Sequence, residues 1–399
     1  MEQTPFKAVF TKKTNFVTQS FDTDPLMIDY GGNAKFLVPR HGDFITRMYL
    51  LIDYASLASS TINHALAMID RVSLTIGGTT IQQESGETLN LRLNVEGDES
   101  QAFTVAQLFR MLGGGPTYPF NNTSQYPRTD GPYRLQVPLQ FWFHGKTDLA
   151  IPLAALRYQE VNVEVGLRRS ESWGGSDVGV TSSDVRLRIE YGYASDEVIK
   201  SVMRRPMLFP TEQFQLEETE YTGNTSFTMK PDFVNPVKAV FALFKDTTTD
   251  TTNIFDYSRG YALPLSSVDQ NDFMISMEVI LDNEVLMPKE VGTYEMYRGF
   301  QYYSHFAGSA QNISTPTNRY CGFIYPLAFC KDPMNKITPN GSINFSTIVN
   351  PFFNVEGKGQ GSNVIRFRLY ALSMNFLYIE NGISRLLFTG SDLKLPRFP

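Results

Sequence analysis

The chain has 399 residues and a mass of 45.1 kDa, which fits two large domains or three small ones. Charged residues make up 19% and aromatics 13%, with 29 glycines and 22 prolines, a globular composition rich in rings and turn formers that excludes disorder, collagen and coiled coil. A formal charge of -6 supplies no global positive field, so binding to nucleic acid would require a local basic patch.

Residues 1–20 carry Lys7, Lys12 and Lys13 among Phe6, Phe10 and Phe16. This reads either as a frayed terminus or as a basic, aromatic arm that docks on a neighbour or an anionic surface. The start, Met1-Glu2-Gln3-Thr4-Pro5, has neither the basic region nor the apolar core of a secretory signal, so synthesis in the cytosol is expected. Apolar runs such as Met48 to Ile52 are strand-sized, far below the ~18 residues a membrane helix needs.

Alternation with period two dominates the rest of the chain. Val72, Leu74 and Ile76 alternate with Ser73 and Thr75, run into Gly77-Gly78 and resume at Thr79-Thr80-Ile81, which predicts a β-hairpin with a two-residue turn. Val161 to Val165, Val185 to Tyr191 and Ile365 to Tyr370 alternate in the same way, with apolar residues on one face and Asn, Glu or Arg on the other. Helical spacing is confined to Glu87 to Leu93, Thr104 to Leu112 and Asp196 to Met203. None is long enough to cover a sheet, so sheets must cover each other. Pro206 to Pro210 reads as an extended connector, and Phe214 onward as the next strand. Long Gly-, Ser- or Thr-rich loops are expected over 113–132, 168–184, 246–272 and 356–363, of a length that usually implies contact with a partner.

Three pattern matches appear in the same order in both halves. Pro138-Leu139-Gln140-Phe141 recurs as Pro326-Leu327-Ala328-Phe329, Val185-Arg186-Leu187-Arg188-Ile189 as Ile365-Arg366-Phe367-Arg368-Leu369, and the Gly77-Gly78 hairpin as Met277 to Leu286 turning at Asp282-Asn283. Collinear matches separated by loops of varying length indicate a tandem duplication. Each half, roughly 190 residues long, has room for about eight short strands, the jelly-roll number. The predicted fold is all-β: two tandem eight-stranded antiparallel jelly-roll sandwiches with short accessory helices. The expected boundaries are an N-terminal arm over 1–24, a first jelly roll over 25–195, a connector over 196–212 and a second jelly roll over 213–399.

Motifs for chemistry are missing. His41, His64, His144 and His305 are scattered, and no nucleophile elbow, phosphate loop or dinucleotide fingerprint occurs. Two cysteines, Cys321 and Cys330, are read as free thiols; an extended segment would hold them about 30 Å apart, beyond bridging range. Glu84, Glu87, Asp196 and Glu197 could be proposed for a glycosidase pair, but solvated or capping carboxylates are the favoured reading. For Arg186, Arg188, Arg366 and Arg368 the favoured reading is solvated strand faces or salt bridges to the next domain. Sequons at Asn121, Asn122, Asn224, Asn312, Asn340 and Asn344 are glycosylation candidates, though chance in a Thr/Ser/Asn-rich β-protein explains them well. No catalytic residue, metal ligand or cofactor site is predicted.

Several stretches carry a resemblance to a family. They are Arg40-His41-Gly42-Asp43-Phe44-Ile45, the segment Ile69 to Ile81, Val137-Pro138-Leu139-Gln140-Phe141-Trp142-Phe143 as a strand, Asn235-Pro236-Val237-Lys238 opening another, and the closing turn Asn381-Gly382. In order, they resemble the double jelly-roll major capsid proteins of nucleocytoplasmic large DNA viruses, such as iridoviruses and phycodnaviruses, from about residue 25 to 390. Pro339 to Ser346 departs from the family pattern, with Asn340 in place of Ser and Thr347 in place of Arg. The resemblance implies a non-enzymatic structural protein of a dsDNA virus that self-assembles into homotrimeric, pseudo-hexagonal capsomers tiling an icosahedral shell, made and assembled in the host cytoplasm. It implies itself, minor capsid and penton proteins as partners, an internal membrane approached by the N-terminal arm, no sequence-specific nucleic acid and no cofactor. A double-sandwich glycan-binding or attachment module and a jelly-roll glycan hydrolase are the alternatives.

Overall fold

The computed structural model describes residues 16–27, 32–54, 64–95, 133–168, 185–249, 254–255, 257, 259, 272–306, 323–337 and 340–388. The alternating segments form two sandwiches. In the first, one sheet runs in the order β1 (Phe16–Thr23), β9 (Val185–Ala194), β3 (Phe44–Tyr54), β6 (Tyr133–Pro138). Its mate runs β2 (Asn33–Leu37), β8 (Val161–Leu167), β4 (Ile69–Ile76), β5 (Thr79–Glu84), and a short β7 (Ile151–Pro152) pairs with β3.

The second sandwich repeats this order. Its inner sheet is β10 (Met207–Thr222), β18 (Val364–Glu380), β12 (Pro236–Asp246), β15 (Tyr325–Ala328), and its outer sheet is β11 (Thr225–Met229), β17 (Pro351–Gly357), β13 (Met274–Leu281), β14 (Glu284–Met287). The short β16 (Ile343–Asn344) and β19 (Ile383–Leu386) extend the inner sheet at β12 and β18. Among the described residues each sandwich thus has eight principal strands, and the three sequence matches fall at equivalent places: the end of β6 with β15, β9 with β18, and the β4–β5 turn with the β13–β14 turn.

Turn chemistry explains the hairpins. Gly77 and Gly78 have φ of 58° and 83°, Asp282 and Asn283 50° and 70°, and Asn381 and Gly382 54° and 88°. Two successive left-handed residues make a turn whose twist matches that of its strands, and Gly, Asn and Asp bear that conformation at least cost.

Helices fill gaps. α1 (His64–Ala67) packs on α2 (Gly86–Val95), and α3 (Asp196–Arg204) links the sandwiches. A Cβ on Gly86 would lie 2.0 Å from the Leu66 carbonyl oxygen, so only glycine lets α2 start against α1. A π-helical turn, Met296–Gln301, runs into α4 (Tyr302–His305). The expected helix over Thr104 to Leu112 lies outside the described residues.

Three elements differ from expectation. β1 pairs with β9 along all eight residues, so this part of the expected arm belongs to a sheet. Its side chains are largely exposed at the sheet edge, which removed the apolar alternation that marks other strands. β10 begins at Met207 and pairs with β18 without a break to Thr222, so Pro206 to Pro210 is extended but not a free connector. The strand expected over Val137 to Phe143 ends at Pro138; Phe141, Trp142 and Phe143 form a turn whose rings are buried in the core.

The core shows how the sandwiches meet. One apolar cluster lies inside the second sandwich, around Phe244, Phe273, Tyr325 and Phe367. The other fills the first sandwich and continues across to Phe241, Tyr370, Leu372 and Ile379 of the second. β12 is accordingly buried at every position from Val237 to Asp246: one face looks into its own sandwich and the other onto its neighbour. Cys330 is a buried free thiol; Cys321 lies outside the described residues.

Candidate functional site

Three regions have functional potential: the seam between the sandwiches and the two ends of the molecule. In the seam, Arg92 of α2 is fully buried and meets Glu84 at 3.1 Å and Glu212 of β10 at 2.8 Å, with its guanidinium 4.8 Å from the centroid of the Phe214 ring. Lys238 of β12 holds the other oxygen of Glu212. Burial alone would raise the Glu212 carboxyl, but Lys238, Arg92 and Lys336 outweigh it and hold it at about 2. Gln82 donates to Glu84 at 2.7 Å and accepts from the Trp142 backbone at 2.9 Å, and Thr88 donates to Glu84 at 2.6 Å.

A second cluster forms around Glu87. It accepts from Tyr257 at 3.0 Å, from Arg368 at 2.7 Å and from Tyr370. Burial and the adjacent Glu87 charge push both phenols well above the ordinary tyrosine value. These contacts correct the sequence reading of Glu84 and Glu87 as solvated or capping carboxylates: both are buried and paired in the seam. Asp196 and Glu197, by contrast, are exposed in the first turn of α3. The four carboxylates therefore do not converge. Glu84 and Glu87 are committed to cations and hydroxyls, so they form a cross-link rather than an acid–base pair.

The arginine stripes take the salt-bridge role. Arg186 meets Asp53 at 2.7 Å and Arg188 meets Asp22 at 2.7 Å on the first sandwich; Arg366 meets Glu220 at 2.9 Å, and Arg368 reaches both Glu218 and, across the seam, Glu87. The histidines stay apart: His41 stacks on Phe21, His144 meets the edge of Tyr49, His305 faces the Lys331 carbonyl, and His64 lies in α1. Among the described residues no group of three metal-donor side chains converges. No helix there is long and apolar enough to cross a membrane.

The ends are unlike. Strand registers place Tyr54, Tyr133, Leu167 and Val185 at one end of the first sandwich, and Thr222, Asp246, Met274 and Val364 at one end of the second. The two ends coincide, because Gln159 meets Ser384 at the far end of both sandwiches, while Glu87 meets Arg368 nearer this one. The connections 55–63, 168–184 and 247–273 therefore leave and return at a single end. The opposite end carries the three tight turns, β7 and α3.

Of the sequons, Asn224 is exposed at the loop end, its Oδ1 accepting from Gly359. Asn340 is exposed and Asn344 half-buried at the opposite end, and Asn121, Asn122 and Asn312 lie outside the described residues.

Comparison with known proteins agrees with this geometry. Residues 4–185 match the family model described as "Major capsid protein N-terminus". The major capsid protein of Pyramimonas orientalis virus is 23% identical over 406 residues, covering 96% of this chain and 93% of that one. The PBCV-1 protein VP54 superposes with a TM-score of 0.79 at 19% identity, over 97% of this chain and 100% of the other. In sequence and in fold the chain is similar to the double jelly-roll major capsid proteins of nucleocytoplasmic large DNA viruses. "Capsid protein 1" of Acanthamoeba polyphaga mimivirus, 27% identical over 279 residues, is matched over 60% of this chain and only 44% of its own length. The chain thus spans under half of that relative's length.

Sequence reasoning missed the buried cations Arg92 and Lys238. The signal was available in β12, where Pro236-Val237-Lys238-Ala239-Val240-Phe241-Ala242-Leu243-Phe244 lacks alternation, as a strand buried on both faces does.

Proposed function

We propose that this chain is the tile of a virus shell: three copies join head to tail into a pseudo-hexagonal homotrimer of six sandwiches, and the trimers cover an icosahedral capsid. The observation that carries the reading is the repeat of one strand order in two sandwiches that share a buried seam and a common loop end. A rigid pair of this kind supplies two of six near-equivalent sides, and threefold closure supplies the rest.

The exposed apolar side chains support head-to-tail contact. Phe16, Val17, Leu26 and Met27 lie on the β1–β2 edge of the first sandwich, away from the second; Val285 and Leu286 lie on the β14 edge of the outer sheet of the second. Patches on opposite flanks suit a cyclic interface, in which one copy's first sandwich meets the next copy's second.

In this reading the loop end faces outward and the α3 end faces the virion interior, toward minor capsid proteins and an internal membrane, while penton proteins occupy the vertices. Assembly takes place in the host cytoplasm. Asn224 is the described sequon placed for an outward glycan, whereas Asn340 and Asn344 would face inward. Electron micrographs of purified protein test the reading. Hexagon-outlined particles about 75 Å across, a few sandwich widths at ~10 Å per sheet spacing plus loops, are expected, and single particles of one double sandwich would overturn it.

A further inference from the structure

At the end opposite the long loops, the two sandwiches leave a cleft of about 510 Å³ between α3, the segment around Tyr158 and the β18–β19 turn. Three cations line it, Arg157, Lys200 and Arg204, and no carboxylate does. Among the described residues none of the three has a carboxylate within ion-pair distance, whereas the stripe arginines Arg186, Arg188, Arg366 and Arg368 are all paired. Lys200 and Arg204 lie four residues apart on α3 and so share one face. The acids of that helix, Asp196 and Glu197, are in its first turn and outside the lining.

The cleft also has apolar walls. Arg157 leans on the Met203 sulfur at 3.6 Å, and the Tyr158 ring stands 76% exposed over Gly382, where a Cβ would approach it to 2.7 Å. Guanidinium groups beside an aromatic ring and a thioether recognise a chain that offers carboxylates and apolar side chains together.

We propose that this cleft is a docking site for an acidic segment of a second polypeptide, with carboxylates meeting Arg157, Lys200 and Arg204 and an apolar side chain packing on Tyr158 and Met203. That the segment belongs to a protein beneath the shell rests on the orientation proposed above. The chain's own N-terminus is not the occupant on charge grounds. β1 brings it in at this end, with Phe16 opposite Ala194, but residues 1–15 hold Lys7, Lys12 and Lys13 against Glu2 alone. A flat anionic bilayer suits a recess less well, because the cations line a hollow rather than a plane.

The test titrates the full-length protein with a fluorescein-labelled peptide, Asp-Phe-Glu-Glu-Leu-Asp, by fluorescence anisotropy at low and physiological salt. A parallel arm uses phosphatidylserine–phosphatidylcholine vesicles. The expected result is saturable peptide binding that falls at least about tenfold in Lys200→Glu/Arg204→Glu and is unchanged in Lys230→Glu, an exposed lysine elsewhere. Peptide affinity that is absent, or equal in the double variant, overturns the proposal, as does binding to vesicles alone. Every lining residue belongs to one chain, so a monomeric protein that still binds the peptide would sink the shell reading and leave the cleft assignment standing. A trimer that does not bind would do the reverse.

Discussion

Arg92 of the first sandwich donates through Nη1 to Glu212 of the second at 2.8 Å, and both side chains are buried. This contact turns two sandwiches into one body: Arg92 also holds Glu84 of its own sandwich, and Glu212 also holds Lys238 of its own. Removing one member leaves a buried charge without its partner. Arg92→Met is expected to cost about 3–5 kcal/mol, read from denaturant unfolding at neutral pH. The wild type is expected to lose both sandwiches in one transition, and the variant to separate them into two.

Acid acts on the same contact. The folded Glu212 carboxyl sits at about 2, below its ordinary value of 4.5, so its contribution is complete above about pH 4.5 and is lost as pH falls toward 2. The wild type is expected to lose about 3 kcal/mol of unfolding free energy from this group over that window. In Glu212→Gln that fraction of the pH slope disappears, while stability at pH 7 is lower than wild type. A denaturation series from pH 7 to pH 2.5 reads both.

The second seam cluster offers a milder test. Tyr370 donates to the buried Glu87 carboxylate, so Tyr370→Phe removes one hydrogen bond to a charge and leaves the ring in place. A loss of about 1.5–3 kcal/mol is expected, with the strand pairing unchanged by circular dichroism.

Gly86 tests the packing of α2. Its missing side chain gives room to the Leu66 and Ile69 carbonyl oxygens, which a Cβ would approach to 2.0 and 2.6 Å. Both obstacles are backbone, so Gly86→Ala is expected to lower stability by about 2 kcal/mol or more, measured by thermal or denaturant unfolding.

Much of this fold could be read from the chain because many strand segments have one wet face. Val185 to Ile189 and Ile365 to Leu369 alternate cleanly, and Gly77-Gly78 and Asp282-Asn283 mark the β4–β5 and β13–β14 hairpins, so both the strands and the duplication were visible. Where burial departs from one face in, one face out, the pattern fails. β1 is an edge strand with most side chains exposed, and β12 is buried on both sides, so neither alternates. The seam charges were hidden for the same reason: Glu84, Glu87 and Arg92 look like surface residues until the second sandwich covers them. The α3 cleft is built from residues 155, 204 and 382, brought together only by folding, and no local spacing announces it.

The mass of the purified protein in solution tests the central claim most directly. Light scattering is expected to give three times the 45.1 kDa chain, about 135 kDa, falling to a folded monomer when Val285→Asp and Leu286→Asp charge the exposed β14 edge. A wild-type protein that stays at the mass of one chain at every concentration would contradict the account.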